Sequence, residues 1–488
     1  MFCASVPENN RSFSEKPERF EFFSAGKRNR SCIFLSNILV LEKFIVFLSL
    51  RLSLNEKRGA VIMVSEYNAM TKEELLTLKE QLDADYRAFQ AQKLQLNMAR
   101  GKPGAAQLDA SMGILDVLNG NSTLLAEIGD DCRNYGILEG LPEMRAFFGK
   151  LLDVNPKNVI IGGNSSLNMM FDIIASAFFS GFAGCEPWRK GEVKFLCPSP
   201  GYDRHFAICE YFGIEMITVP MTSTGPDMDM VERLVNSDPS VKGIWCVPKY
   251  SNPQGITYSD ETVRRFASLK PAAADFKIFW DNAYYIHELT DSPDYLLNIF
   301  EECAKRGTED LPIEFCSTSK MTFPGAGVAA LVGSENTLKN YRRQRACQTI
   351  GPDKINQLRH LRFFKTVDGM RQHMEKHKAI LAPKFQTVMA SLEIELFGLG
   401  IASWRAPKGG YFVSVDVMPG CAKRVVQLCK DAGVTLTGAG ATYPYKKDPK
   451  DSNIRLAPSY PPIQELRDAM QLFCLCVKLA AVEKLLQE

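Results

Sequence analysis

Short apolar runs alternate with helical stretches from about residue 97 to residue 361. Four runs rich in β-branched and aromatic residues predict strands, and they lie at 158–163, 193–201, 242–248 and 276–284. Between them, apolar residues recur at helical spacing, for example over 165–179 and 260–269. This alternation predicts an α/β fold with a large, mainly parallel sheet that is covered by helices on both faces.

The pattern changes after residue 361. A long charged helix is predicted over 371–392 and a final apolar helix over 463–486, with a short strand and a helix between them. We therefore predict a large domain at 111–361 and a smaller α+β domain at 362–488. Residues 63–110 are predicted to form an N-terminal arm that is part of the small domain.

Residues 1–62 differ in character from the rest of the chain. Their apolar run is broken by Glu42 and Lys43, which makes it a poor membrane-spanning helix, and no small-residue cleavage site marks a signal peptide. Met63 precedes a Thr-x-x-Glu capping box at 71–74 and an amphipathic helix. We expect Met63 to be the initiator and 1–62 not to be translated; mass spectrometry of the native protein tests this.

Composition excludes several classes of partner. The 488 residues include 58 basic and 56 acidic ones, so the net charge of +2 indicates neither a nucleic-acid nor a membrane partner. An anionic ligand would need a local site. The 14 cysteines are scattered without a CxxC pair, which predicts buried free thiols in a reducing cytoplasm, not a zinc site or a disulfide framework.

Two of the five histidines, His373 and His377, lie four residues apart and would share a helix face. A metal-binding pair is one interpretation, but the nearby acidic residue is not where an HExxH zinc site needs it. Because the segment is strongly charged, we interpret this face as solvated and expect no metal.

Polar residues follow the predicted strands, at the edge where α/β proteins bind ligands. Asn164, Ser165 and Ser166 open a helix after the first strand. Hydroxyls and free N–H groups there suit a phosphate, although an ordinary N-cap has the same pattern. The fourth strand ends with Asp281 and Tyr284, and such an Asp is either a solvated cap or the partner of a positive ring nitrogen.

Three more polar groups stand in similar positions. Asn252 lies in an Asn-Pro-Gln-Gly turn after the third strand. Lys320 lies in a Ser-rich turn, where a lysine is either a surface residue or an amine that condenses with an aldehyde. Arg455 offers a fork for a substrate carboxylate, or else a surface ion pair. Together these groups are the set that pyridoxal 5'-phosphate needs.

Their order and spacing resemble the fold-type I aminotransferases, specifically the aspartate aminotransferase family, from about residue 97 to the C-terminus. The resemblance begins at NYGILEGLPEMRAFF (134–148). It implies a seven-stranded type of sheet, pyridoxal 5'-phosphate as cofactor, and amino acids and 2-oxo acids as substrates. It also implies a homodimer with shared active sites, in which Tyr135 reaches the cofactor phosphate of the other subunit.

The resemblance assigns a role to each matching residue. Asn164, Ser165 and Ser166 match the phosphate-binding turn. Tyr202 matches the aromatic that stacks on the pyridine ring, and Asn252 matches the Asn on the ring hydroxyl. Asp281 matches the Asp on the ring nitrogen, and Tyr284 the Tyr on the ring oxygen. The Ser-x-Ser-Lys motif, whose lysine binds the cofactor and transfers protons, is matched by Ser317, Ser319 and Lys320.

One position departs from the family pattern. The family usually continues with Pro-Gly-x-Arg, whose Arg binds the phosphate, and Gly327 stands at that place. The basic cluster at 340–354 is one candidate to neutralise the phosphate instead. Lys102 and Arg100 in the ARGKPG segment are the others, and the sequence does not choose between them.

The segments ARGKP, TSK…GAGVA and QTIGPDKINQLRH resemble a divergent bacterial branch of aspartate aminotransferases, type Ic. This implies L-aspartate and 2-oxoglutarate as the substrate pair. Arg455 is then expected to bind the substrate carboxylate, with Arg100, Gly101 and Asn252 as further substrate-binding residues. The alternatives are another amino acid, a lyase or decarboxylase on the same cofactor, an aminotransferase-like transcription regulator, or a protein that kept the fold without the chemistry.

Overall fold

The apolar runs form strands and the stretches between them form helices. The computed structural model describes residues 66–182 and 184–488, so the start expected at Met63 lies outside the described residues. The strands are β1 Leu96–Asn97, β2 Val159–Ile161, β3 Lys194–Ser199, β4 Glu215–Thr222, β5 Gly225–Pro226, β6 Val241–Cys246, β7 Lys277–Asp281, β8 Pro312–Ser317, β9 Ala329–Gly333, β10 Ala402–Trp404, β11 Val413–Val417, β12 Val434–Thr435 and β13 Asn453–Leu456. The helices are α1 Lys72–Ala91, α2 Ala105–Asp109, α3 Pro142–Leu152, α4 Ser166–Ser180, α5 Asp203–Phe212, α6 Met228–Ser237, α7 Asp260–Ala267, α8 Ile299–Ala304, α9 Glu335–Gln348, α10 Lys354–Phe364, α11 Val367–Leu396, α12 Ala422–Asp431 and α13 Ile463–Leu485.

The large sheet has the strand order β2-β9-β8-β7-β6-β3-β4-β5, in which β5 is a two-residue strand that returns beside β4. The pairs β3–β4, β3–β6, β6–β7 and β7–β8 are parallel. β9 is antiparallel to both β2 and β8, and the short edge strand β5 is antiparallel to β4. The predicted α/β class, with seven principal and mainly parallel strands, is confirmed.

Helices cover both faces of this sheet, as the continuous apolar strands require. Along β7, Phe279 packs into the apolar cluster with residues of α4 and α5. Its neighbours Ile278 and Trp280 point the other way, into a cluster with residues of α6 and α7. The chain therefore buries both sides of its central strands, and the strand ends are left for polar side chains.

A second, antiparallel sheet has the order β10-β11-β13. It shares one apolar cluster with α1, α11, α12 and α13, so residues from the N-terminal arm and from the C-terminal helix form one core. The capping box predicted at Thr71 and Glu74 is present at the start of α1. The domain boundaries at 110/111 and 361/362 stay predictions.

The interpretation of His373 and His377 as a solvated face is wrong. Both side chains are buried on α11, and their ring Nε2 atoms lie 3.1 Å apart. The charges that suggested a solvated face belong to the other side of the helix, while Met370 and Met374 share the buried side. No cluster with metal-site geometry occurs in the part of the chain that the structure describes.

All twelve described cysteines are free thiols and most are buried, including Cys474 and Cys476 in α13. Burial raises the pKa of both thiols, which keeps them protonated. Over residues 66–182 and 184–488, no helix is long and apolar enough to cross a membrane.

Candidate active site

The carboxyl ends of parallel strands bring the predicted residues to one edge of the large sheet. Asp281 is the last residue of β7, and its neighbour β8 ends three residues before Lys320. Tyr202 follows β3 and Asn252 follows β6 in the same way. Because these strands are parallel neighbours, residues that are up to 118 positions apart in sequence meet in one place.

Asp281 is held by a residue that the sequence interpretation did not assign to the site. Its Oδ2 lies 3.0 Å from Nε2 of His205, and both side chains are buried. The imidazole stacks on Trp245 with ring centroids 4.4 Å apart and planes 10° apart. This packing fixes the position of the carboxylate. The sequence feature that could have indicated His205 is its spacing, because it lies one helical turn after Tyr202 at the start of α5.

Whether a positive ring nitrogen fits beside Asp281 depends on the other oxygen of its carboxylate, Oδ1. Oδ1 of Asp281 is buried and has no hydrogen-bond partner among the described residues. A buried carboxylate oxygen without a donor is costly, so such atoms normally have one. A protonated pyridine nitrogen is a donor of the right charge, and the site therefore fits the pyridine ring of pyridoxal phosphate.

Lys320 lies in an environment that favours the neutral amine. Burial lowers the pKa of Lys320, and the negative charge of Asp281 opposes this shift only in part. Its Nζ lies 4.8 Å from the ring centre of Tyr284. Burial, together with the neighbouring Tyr202 and Asp281, holds the pKa of the Tyr284 phenol well above its usual value, so that phenol stays a proton donor.

Tyr202 lies on the same side, half-buried, with its ring centroid 4.9 Å from that of His205. Burial and the charge of Asp281 raise its pKa to about 12. The structure therefore brings Tyr202, His205 and Asp281 together, which gives the aromatic of the PSPGYDRHF segment a definite place beside the carboxylate.

Arg455 on β13 extends from the second sheet toward these residues. Its Nη1 donates to Asp203 Oδ1 at 2.9 Å and to Asn252 Oδ1 at 3.2 Å, and its guanidinium lies 4.9 Å from the ring centre of Phe412. Nε is buried without a partner in the described chain, and Nη2 has only a 3.4 Å contact with Thr437. The edge formed by Nε and Nη2 is thus open to a carboxylate.

Asp203 is a second site residue that sequence reasoning missed. It forms an ion pair with Arg455 across 252 positions of sequence, so no local pattern could reveal it. Together with Asn252, it holds one nitrogen of the guanidinium and leaves the opposite edge free.

The N-terminus of α4 is where the sequence predicts a phosphate cup. Ser165 is the N-cap, yet within the described chain its hydroxyl makes no capping bond, so the hydroxyl and the first N–H groups stay available. Ser319 Oγ donates to the Asn164 carbonyl, and Ser317 Oγ donates to Ser319 Oγ at 3.2 Å. Ser166 is the first residue of the helix. The free Ser165 hydroxyl and the first N–H groups of the helix fit a phosphate group.

Gly327 lies directly against this cup. A Cβ atom at Gly327 would lie 2.9 Å from Ser319 Oγ and 3.0 Å from the Ser319 N and Cα atoms. Two of these three atoms are backbone and cannot move aside easily. A side chain at the position that carries an arginine in the family pattern would therefore have to displace Ser319.

The remaining predicted residues lie further out. Tyr135 is 82% exposed, and Nζ of Lys354 holds its loop by donating to the Asn134 and Gly136 carbonyls. Arg100 is exposed. Gly101 lies against Phe412, the ring that also contacts Arg455, and a Cβ there would lie 2.4 Å from that ring. The structure thus connects Gly101, but not Arg100, with the arginine.

Behind Lys320, a buried polar network contacts the backbone. Tyr411 donates to the Lys320 carbonyl at 3.2 Å and accepts from Gln107 Nε2 at 2.8 Å. Gln107 Nε2 also lies 3.0 Å from His377 Nδ1. His373 Nε2 lies 2.8 Å from the carbonyl of Met321, the residue after Lys320. Hydrogen bonds therefore hold the carbonyl groups of both Lys320 and Met321.

Comparison with known proteins agrees with this geometry. The family model described as aspartate amino-transferase matches residues 70–488. The chain belongs to the aspartate aminotransferase family. The resemblance inferred from the motifs is therefore confirmed, and so is an aminotransferase as the class of enzyme.

Two relatives within the family cover nearly the same length. A Mycolicibacterium smegmatis protein assigned to the aminotransferases is 48% identical over 86% of this chain and 99% of its own. An aspartate aminotransferase of Corynebacterium glutamicum is 44% identical over 88% of this chain and 99% of its own. A crystal structure of an aspartate transaminase from that species matches with a TM-score of 0.83 at 44% identity, covering 86% and 99% of the two chains.

Proposed function

We propose that this family member is a pyridoxal 5'-phosphate-dependent aminotransferase that converts L-aspartate and 2-oxoglutarate to oxaloacetate and L-glutamate. The observation that carries the proposal is the buried pair of groups at the strand ends: a lysine with a lowered pKa and a carboxylate oxygen without a donor. Few chemistries need both a lysine amine with a lowered pKa and an unpaired buried carboxylate oxygen in one site.

Pyridoxal phosphate, when bound, supplies an aldehyde that takes up the amino group and a protonated ring that accepts electrons. Asp281 would hold the proton on the ring nitrogen, because its open oxygen has no other donor. Tyr284 and Asn252 would contact the ring oxygen, Tyr202 the ring face, and the cup at the start of α4 the phosphate.

Lys320 would act as both base and acid. Its neutral Nζ would take the proton from the substrate's α-carbon and return it during the reverse half-reaction. Only a neutral amine can accept that proton, and the lowered pKa of the buried Lys320 favours that form.

Arg455 would hold the substrate's α-carboxylate on its open edge. Two parallel N–H···O bonds on Nε and Nη2 would fix the substrate's orientation, while Asp203 and Asn252 keep Nη1 in place. The preference for aspartate rests on the 44% identity to the Corynebacterium glutamicum enzyme of that name. A cytoplasmic homodimer belongs to the same proposal.

The absorption spectrum of the purified protein, before and after addition of L-aspartate alone, tests the proposal. We expect a visible cofactor band that aspartate removes and 2-oxoglutarate restores. A band that responds only to another amino acid would exclude aspartate but keep the cofactor. Product analysis separates a lyase or decarboxylase, which would release ammonia or carbon dioxide. A protein that cannot be loaded with pyridoxal phosphate would contradict the proposal.

A further inference from the structure

The phosphate cup lacks the positive charge that its ligand calls for. A phosphate monoester carries close to two negative charges at neutral pH, and a helix N-terminus supplies only about half a positive charge. Gly327 cannot supply the rest, because it has no side chain and an added Cβ would crowd Ser319. If the proposed cofactor binds here, a cation must reach the cup from another element.

Three of the cationic candidates named from the sequence are engaged elsewhere. Lys354 donates to two carbonyls of the Tyr135 loop, and Arg342 pairs with Glu139 and Glu335. Lys102 lies 3.9 Å over the ring of Tyr460.

Arg345 is buried but faces the middle of α4. Burial raises the pKa of Asp172, which lies two turns into that helix, and the nearby charge of Arg345 opposes this shift only in part. The Arg345 guanidinium lies 5.9 Å from the ring of Tyr341. The free N–H groups are at the first turn of α4, so Arg345 is directed away from the cup.

Arg359 on α10 is in a different situation. Its Nη2 donates to Asn356 Oδ1, and Asn356 Nδ2 donates to the carbonyls of Gly327 at 2.8 Å and Ala326 at 3.1 Å. One amide side chain therefore joins the guanidinium to the backbone at the position that carries the arginine in the family pattern. Nε of Arg359 is buried and has no partner among residues 66–182 and 184–488.

We propose that Arg359 supplies the cofactor-phosphate charge that Gly327 cannot, reaching the cup from α10 instead of from the turn before β9. This inference rests on the proposed function. Asn356 orients the guanidinium by its Oδ1 and holds the 326–327 turn by its Nδ2, so the cation and the cup are fixed to each other. The unpaired Nε–H and the rest of the fork are then available to phosphate oxygens.

The test compares two ligands that differ only in the phosphate. Apoprotein is titrated with pyridoxal 5'-phosphate and with pyridoxal, and the dissociation constants are compared for the wild type, Arg359→Gln and Arg359→Lys. We expect Arg359→Gln to weaken binding of the phosphorylated ligand about ten- to a hundredfold and to leave pyridoxal binding unchanged. Arg359→Lys, which keeps the charge without the fork, should lie between.

Arg362→Gln is the matched control. It removes a guanidinium from the same helix, where Arg362 donates to the Thr123 carbonyl, and should leave both constants unchanged. If Arg359→Gln weakened the binding of both ligands equally, the role of Arg359 would be purely structural and the inference would be overturned. Unchanged affinity for pyridoxal 5'-phosphate would also overturn it. If the wild type bound neither ligand, the proposed function itself would fail, and the role of Arg359 with it.

Discussion

Nε2 of His205 lies 3.0 Å from Oδ2 of Asp281 in a site where the other carboxylate oxygen has no partner. His205→Phe would keep the stacking on Trp245 but remove this bond. A hydrogen bond to a charged group contributes about 1.5–3 kcal/mol, so we expect kcat for transamination to fall about ten- to a hundredfold.

His205→Asn provides the comparison for this variant. Its amide can still donate to Asp281 but cannot stack as a ring on Trp245, so it should recover part of the lost rate. If the phenylalanine variant keeps the wild-type rate, then the His205–Asp281 contact has no part in the reaction.

Lys320→Ala should abolish transamination while the fold is retained. General acid and base groups contribute about 10²- to 10⁴-fold, and we expect at least this loss in kcat. Far-ultraviolet circular dichroism and the thermal midpoint of the apoprotein should stay close to those of the wild type, because the lysine Nζ makes no ion pair in the described chain. Normal transamination by this variant would refute the assignment of Lys320.

The site residues at the strand ends were predictable, because the sequence shows where each apolar run stops and polar residues begin. Asp281, Asn252 and Lys320 each follow such a run, and the fold class followed from the same alternation. His205 and Asp203 were not predictable in this way, since each acts on a residue that is distant in sequence, and only the packing of α5 over the sheet brings them there.

The error at His373 and His377 has a different origin. The charges of Arg371, Glu375 and Lys376 dominated the interpretation of the segment, although the two histidines share the i, i+3, i+4 spacing of buried methionines on α11. Polar partners for buried histidines come from other elements, here Gln107 and the Met321 carbonyl, and a single segment does not display them.

Restoring the family's arginine at Gly327 should damage the protein. Its Cβ would lie within 3.0 Å of Ser319 backbone atoms, so Gly327→Arg must displace the Ser-x-Ser-Lys turn. We expect at least a tenfold weaker affinity for pyridoxal phosphate and a lower thermal midpoint, with a smaller effect of the same sign for Gly327→Ala. Gly325→Ala is the control, because no atom lies within 4 Å of its added Cβ. Tighter cofactor binding by Gly327→Arg would contradict this account.

Tyr135 is exposed on a loop that Lys354 holds in place, which suits a residue that serves a neighbouring subunit. Sedimentation should therefore give the mass of a dimer. The Tyr135→Phe and Lys320→Ala chains should each be defective alone, and mixing them should recover activity at low cofactor concentration. In the mixture, about a quarter of the sites would combine an intact lysine from one chain with an intact tyrosine from the other. A monomer, or a mixture no more active than its parts, would exclude a shared site.

Acid should destabilise the apoprotein through its buried histidines. Burial, and next the neighbouring His373, lower the pKa of His377 to about 4 from an unfolded value near 6.5. The unfolded chain therefore binds a proton between these pH values that the folded chain does not. Stability is unaffected above pH 6.5 and falls as the pH drops toward 4, by about 2 kcal/mol at pH 5 for this one residue.

His377→Gln tests this, because an amide retains hydrogen-bonding capacity toward Gln107 and does not titrate. Urea unfolding at pH 7 and pH 5 should show a smaller loss of stability in the variant than in the wild type. Part of the pH dependence should remain, since burial lowers the pKa of His373 and His360 as well. If the two proteins lose equal stability on acidification, then His377 is either protonated in the folded state or already solvated.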